Sequence, residues 1–209
     1  MLVLLVCVLT FVILCMGEYG WRKGWLKNEI GRKFTHIIVG SFVAFWPLFL
    51  SWYQIFFLSA AFVVVVGASK YFGVFRAIHS VQRPTWGEVF FAVSVGLLAL
   101  LTRDGWMYMA ALLHMSLADG LAAIIGTQFG KKNRYSVLGH TKSIVGSVTF
   151  FVISIAILVG YGIGTDTDIG IGLLLWTSFI ATVLENVSPR GFDNITVPVW
   201  IAVVLSKLG

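Results

Sequence analysis

The sequence predicts an all-α protein of the membrane: a polytopic bundle of about eight spanning helices, within a range of seven to nine, with its N-terminus outside. Three observations lead there. Of the 209 residues, 58% are hydrophobic and 11% are charged, under half of the roughly 25% charged residues usual in soluble domains. Mean hydropathy is +0.92. The apolar residues gather into long runs separated by short polar stretches. So few charges cannot cover a water-soluble domain of this length, which excludes that class as well as a disordered chain. Residues 1–209 read as a single integral membrane domain.

The runs are 1–16, 34–50, 52–67, 87–102, 106–127, 144–162, 170–184 and 195–208. Most sit at or below the ~17–25 residues of a full span, so some must borrow flanking residues or re-enter the membrane. The first has no basic segment before it and no small-x-small cleavage pattern, and Arg22, Lys23, Lys27, Arg32 and Lys33 follow it. That is the charge order of an uncleaved anchor whose N-terminus is outside. Cys7 and Cys15 share this run, about 12 Å apart on one helix and too far for a disulfide.

Alternating the loops from that start puts segments 17–33, 68–86, 128–143 and 185–194 on the cytoplasmic side. They hold thirteen of the fifteen Lys and Arg residues; Arg103 and Lys207 are the exceptions. The formal net charge of +6 therefore reads as positive-inside bias, not as a nucleic-acid surface. Trp21, Trp25, Trp46, Trp52, Tyr53, Trp86, Trp106, Tyr108 and Tyr161 lie near run ends and read as interface anchors. The outer connections are short, and the inner ones are long and polar. A chain that elaborates one face does its chemistry there, whereas a carrier shows polar residues at mid-depth.

Candidate chemistry follows from the polar residues of that face. Asp119 lies inside the fifth run, where a carboxylate costs about 2.5–3.5 kcal/mol to insert and so needs a partner or a wet cavity. Ala118, Ala122, Gly126 and Gly130 recur every four residues beside it, a stripe on which another helix can pack closely. The loop after it carries Lys131, Lys132 and Arg134. Lys142 and Ser143 then open the next helix, with Gly146 and Ser147 following. Lysines neutralise phosphate, and a helix N-terminus favours an anion. Glu185 closes one span and Asp193-Asn194 opens the next across Ser188-Pro189-Arg190-Gly191, a sequence suited to a type I turn. Asp119, Glu185 and Asp193 together offer enough oxygen ligands for one or two Mg²⁺ ions shared with phosphates. Glu29, Arg32, Lys33 and His36 share one helix face entering the membrane. Structural readings stay open beside these: helix packing for Asp119, capping for Asp193 or Asn194, a positive-inside loop for Lys131, Lys132 and Arg134, and a salt-bridged helix for the 29–36 face. His79, His114 and His140 are isolated and lack zinc-ligand spacing.

These residues carry a resemblance. Glu29-Ile-Gly-Arg32-Lys33-Phe-Thr-His36, Arg83-Pro-Thr-Trp-Gly87-Glu88, Asp119-Gly-Leu-Ala122 with Gly126 and Gly130, Lys142-Ser143 with Gly146-Ser147, and Glu185 with Asp193-Asn194-Ile-Thr196-Val-Pro198 resemble the dolichol kinase, phytol kinase and CTP-dependent diacylglycerol kinase family of membrane lipid kinases. The Asp119 and Lys142 blocks are more distantly similar to phosphatidate cytidylyltransferases, whereas the ending Asp193-Asn-Ile-Thr-Val-Pro favours the kinases. The resemblance implies transfer of the γ-phosphoryl group of CTP, or another nucleoside triphosphate, to the hydroxyl of a polyprenol, a phytol-like alcohol or diacylglycerol. It implies Mg²⁺ or Mn²⁺ on Asp119, Glu185 and Asp193. Asp119, Asp193 and Lys142 are then catalytic. Arg32, Lys33, His36, Lys131, Lys132, Lys142, Ser143, Gly146, Arg190 and Asn194 contact nucleotide or phosphate. The rival readings are a cytidylyltransferase making a CDP-lipid, and a transporter or scaffold subunit that turns over no nucleotide.

The orientation is testable by labelling. In a background without Cys7 and Cys15, Arg134→Cys and Arg190→Cys are expected to react with an impermeant thiol reagent only from the cytoplasmic side, and Asp166→Cys only from outside. Labelling of positions 134 and 166 from the same side contradicts the eight-span arrangement.

Overall fold

A computed structural model describes residues 1–25, 28–72 and 86–208. Nine helices and one hairpin follow in order among these residues: α1 (Leu2–Arg22), α2 (Asn28–Ala44), α3 (Trp52–Phe72), α4 (Gly87–Leu101), α5 (Gly105–Leu113), α6 (Asp119–Phe129), β1 (Arg134–Val137), β2 (His140–Ser143), α7 (Ile144–Thr165), α8 (Ile171–Val187) and α9 (Asp193–Leu205). A π turn, His114–Ala118, joins α5 to α6 into one rod, Gly105–Phe129. Each apolar run thus corresponds to one helical rod. Four rods (α1, α3, α5–α6 and α7) are long and apolar enough to cross a membrane, while α4, α8 and α9 are apolar but shorter. The protein is all-α in its bulk and of membrane type. The expectations on Lys27, Arg76, His79, the Arg83–Thr85 stretch and the side chains of Glu29 and Lys70 lie outside the described residues.

The α5–α6 rod is the axis. It packs against α2, α7 and α9; α8 closes against α7 and α9, and α4 against α9. The core is built from Tyr108, Leu112 and Met115 of the rod with Leu98 of α4, Phe150 and Leu158 of α7, and Ile201 and Leu205 of α9. Helices α1 and α3 are peripheral, packed on α2 and α4. Their exposed Leu4, Phe11, Phe57 and Val64 form an apolar surface suited to lipid tails.

Local sequence explains the ends and the breaks. Asp104 caps α5, its Oδ1 accepting from Met107 N–H at 2.7 Å, and Ser143 caps α7 by accepting from Gly146 N–H at 3.1 Å, each satisfying an orphan donor. Pro198 sits inside α9 and has no N–H for the Asn194 carbonyl four residues back. The Ser94 hydroxyl of α4 donates to that carbonyl instead. Gly126 allows a close contact between α6 and α7 near the polar end: a Cβ there would lie 2.8 Å from Ser143 Oγ and 3.1 Å from Gly146 Cα.

Several expectations are corrected. The 134–143 segment is a two-stranded antiparallel hairpin, not helix or plain loop, with Arg134 opposite Ser143 and Val137 opposite His140. Its turn places Leu138 at φ 48° and Gly139 at φ 79°. Lys142 therefore lies within strand β2, which Ser143 ends, and the helix opens at Ile144. The turn before α9 is Pro189–Phe192, closed by Phe192 N–H to Pro189 O at 3.0 Å. Arg190 and Gly191 have φ of 53° and 90°, the mirror-image class and not a type I turn at Ser188. Trp46, Tyr108 and Tyr161 are buried, not interface anchors; Tyr108 stacks edge-on with Trp52 at 5.7 Å between ring centres.

Gly126→Ala is expected to lower stability by about 1–3 kcal/mol, because overpacking meets backbone and not only a movable side chain. Thermal unfolding in detergent checks this. An unchanged midpoint would show that α6 and α7 can separate freely.

Candidate active site

The polar residues of the predicted inner loops converge on a cavity of about 600 Å³ at one end of the bundle. One face of α6 forms a wall with Asp119, Ala122, Ala123, Gly126 and Thr127; Arg32 and Lys33 come from α2, and Glu185 from α8. Asp193 and Asn194 line it from the first turn of α9 and Arg190 from the turn before, and the hairpin adds Arg134, Gly139, His140, Thr141 and Lys142. The helix period explains the α6 face, since residues 119, 122, 123, 126 and 127 fall on one stripe. Small side chains there leave the volume open.

Three carboxylates dominate it. One oxygen each of Asp119, Glu185 and Asp193 lies within 4.8 Å of the other two. Asp119 and Glu185 are buried, and buried charge needs compensation. Lys33 Nζ donates to Asp119 Oδ2 across 86 residues of sequence. Lys142 Nζ donates to Glu185 Oε1 and to the Glu185 carbonyl at 3.1 Å. Asp193 accepts from Asn194 N–H at 3.1 Å, and among the described residues no lysine or arginine is paired with it. Burial alone would lower the Lys142 pKa, but the carboxylates of Glu185, Asp193 and Asp119 outweigh it and hold the pKa above the ordinary lysine value. The ammonium is therefore charged throughout the neutral range.

The hairpin is held in place from one face. Tyr135 and Lys142 are register partners, so both side chains point the same way. Lys142 reaches Glu185, and Tyr135 Oη donates to Asn186 Oδ1 at 2.6 Å, with Ser147 Oγ also donating to Asn186 Oδ1 at 3.0 Å. Consecutive residues of α8 thus anchor the hairpin.

Among the expected phosphate contacts, Arg32, Lys33, Lys142, Ser143, Gly146, Arg190 and Asn194 line the cavity. Some are already engaged. Arg32 lies 3.9 Å from Glu88 of α4, Ser143 is the α7 cap, and Asn194 Nδ2 donates to Gly87 O at 2.8 Å. Lys131 and Lys132 are exposed in the turn after α6 and are not among the lining residues. His36 faces Asp119 at 3.8 Å without lining the cavity. Arg134, weighed from sequence beside Lys131 and Lys132, lines it, as do His140 and Thr141, to which the sequence reading gave no site role. The alternation of residues 134–143 about Leu138-Gly139 was the available signal. His114 is buried and structural, bonded to Ala110 O at 2.7 Å and Ser154 Oγ at 2.9 Å.

The carboxylates are oxygen donors of the kind hard divalent cations take. Each lysine holds one oxygen of its carboxylate, so the set could hold a cation while keeping its ammonium neighbours. Chemically, buried carboxylates ringed by Lys and Arg suit a polyphosphate bound through cations. Lys142→Met leaves the buried Glu185 charge uncompensated, and a loss of about 3–5 kcal/mol in unfolding free energy is expected. Adding Glu185→Gln should recover most of it. A double variant as unstable as Lys142→Met alone would show that the pair is not coupled.

No family model matches the chain, and no solved structure matches it. A curated relative does. The chain is 31% identical over 188 residues to a phytol kinase of Synechocystis sp., an alignment covering 84% of this chain and 78% of that protein. With this relative matched through nearly the whole chain, the protein belongs to the phytol kinase, dolichol kinase and CTP-dependent lipid kinase family, and is an integral membrane lipid kinase.

Proposed function

We propose that the chain transfers the γ-phosphoryl group of CTP to the hydroxyl of an isoprenoid alcohol of the phytol or polyprenol type, at the cytoplasmic face of its membrane. The meeting of Asp119, Glu185 and Asp193 beside Lys33 and Lys142 carries this reading. Phosphoryl transfer asks the protein mainly for positioning and charge neutralisation. The relative's name supports an isoprenoid alcohol over diacylglycerol, and the positive-inside distribution supports the cytoplasmic face.

Asp119, Glu185 and Asp193 are the ligands proposed for Mg²⁺ or Mn²⁺, which when bound supplies charge neutralisation on the phosphate oxygens. Lys142 and Lys33, with Arg190 at the rim, hold phosphate oxygens by charge-assisted hydrogen bonds. Arg32, the Ser143–Gly146 turn and Asn194 shape the wall around them. The lipid hydroxyl enters from the bilayer and its oxygen bonds to the γ-phosphorus. The bond from that phosphorus to the β-bridging oxygen breaks and CDP leaves. The hydroxyl proton passes to Asp193, the one carboxylate of the three with no described lysine partner.

Asp119→Asn keeps size and most hydrogen bonding while removing the charge, and it lowers the insertion cost of its span. Turnover is expected to fall at least about a hundredfold, roughly 2.7 kcal/mol of transition-state stabilisation. Asp166→Asn, in the far loop, should be nearly silent. Excess EDTA should abolish activity, and Mg²⁺ should restore it. A well-folded Asp119→Asn protein with wild-type turnover, or full activity in chelator, would overturn the site. A panel of CTP, ATP, GTP and UTP with phytol, a polyprenol and diacylglycerol tests the substrate pair.

A further inference from the structure

The five residues before Asp119 form the π turn His114–Ala118. In a regular α-helix the Asp119 N–H would bond to the carbonyl four residues back, Met115 O. Here it bonds to His114 O, five residues back, with a second branch to Ser116 O. A π turn inserts one extra residue, so the side chains after it are rotated by about 100° relative to the helix before it. The direction of Asp119 into the cavity therefore depends on this turn staying in place. Its cost is a buried carbonyl, Met115 O, that has lost its ordinary donor.

Helix α2 supplies the replacement. His36 Nε2 lies 3.0 Å from Met115 O. A carbonyl only accepts, so Nε2 carries the proton and donates. The same nitrogen is 3.8 Å from Asp119 Oδ2, too far for a second full bond. The ring is held edge-on against Phe91 of α4, with 5.0 Å between ring centres. One turn along, Gly40 lets α2 approach the π turn, because a Cβ there would collide with the Ser116 side chain. One turn the other way, Lys33 bonds to Asp119. Residues 33, 36 and 40 thus lie along one face of α2 and engage residues 119, 115 and 116.

We infer that His36 is a positioning residue: its Nε2–H replaces the backbone donor that the π turn takes from Met115 O, and so fixes the direction of Asp119. This replaces the phosphate contact expected from sequence. It rests on the proposed role of Asp119 and adds that the aim of this carboxylate is set from α2.

The test compares His36→Ala, His36→Gln and His36→Asn in the full chain, purified in detergent and assayed with nucleotide and lipid alcohol. A glutamine amide can reach the position of Nε2; an asparagine amide stops near Nδ1, short of Met115 O. His36→Ala and His36→Asn are expected to lose about tenfold or more in kcat while the nucleotide KM stays within about threefold. His36→Gln should recover at least about a third of the wild-type kcat. Amide hydrogen exchange across 114–119 should quicken in the Ala and Asn proteins but not in the Gln protein. A nucleotide KM raised about tenfold with kcat retained would overturn the inference in favour of a phosphate contact. Wild-type kinetics in His36→Ala, or a Gln protein as impaired as the Asn protein, would also overturn it. If the Ala protein does not fold, the Gln–Asn pair decides by the same criteria. Asp119→Asn run in parallel separates the two levels: an active Asp119→Asn protein defeats the site itself, whereas an inactive one beside an unaffected His36→Ala defeats only this inference.

Discussion

Three carboxylates held together at the end of an apolar bundle repel one another, and the fold around them is arranged to offset that repulsion. At the 4.8 Å separation that bounds the group, each pair of charges costs about 3.5 kcal/mol at an effective dielectric of 20. Two lysines compensate, and they come from distant parts of the sequence. Lys33 arrives on α2, which must lie along the central rod to reach Asp119. Lys142 arrives on the hairpin, which must fold back over α8 to reach Glu185. The positions of α2 and of the hairpin are thus two consequences of one electrostatic requirement. The same arrangement suits the proposed polyphosphate substrate, because ammonium groups that neutralise carboxylates can also meet phosphate oxygens.

A second regularity concerns the backbone. Two irregular helix turns flank the cavity, and each releases a buried carbonyl. The π turn before Asp119 releases Met115 O, which His36 takes up. Pro198 releases Asn194 O, which the Ser94 hydroxyl takes up. In both cases the donor comes from a neighbouring helix, so the irregularity is also a crosslink. Asn194 adds another through Gly87 O. Helices α2, α4, the central rod and α9 are therefore tied together around the site by polar bonds. Rigid support of this kind holds catalytic groups within tight tolerances.

Much of this was legible in the sequence. The apolar runs mark every helical rod, because a membrane segment must be apolar and must satisfy its backbone internally. Asp119 announced itself by its cost inside a span. Glu185 and Asp193 were legible as a pair, since a short turn must return them to one level. The family was legible from the order of the blocks. What escaped depended on contacts distant in sequence or on local geometry without a compositional mark. Nothing in His114–Ala118 distinguishes a π turn from an α turn. The hairpin lacks the Asn-Gly signal of a tight turn and puts Leu138 at a positive φ instead. Lys131 and Lys132 matched a phosphate-binding pattern by charge, yet the hairpin turns them away and brings in Arg134 and His140. Tyr108 and Trp46 sat near run ends and were buried by neighbours that periodicity could not name.

On the proposed function, the cavity moves the terminal phosphoryl group of a nucleotide onto a lipid hydroxyl. Incubation of the purified protein with phytol, Mg²⁺ and CTP labelled either at the γ-phosphorus or at the α-phosphorus tests it most directly. γ-Label is expected in a lipid monophosphate, while α-label stays in CDP. Transfer of α-label to the lipid with release of pyrophosphate, or no labelled lipid from any nucleotide in protein shown to be folded, would contradict it.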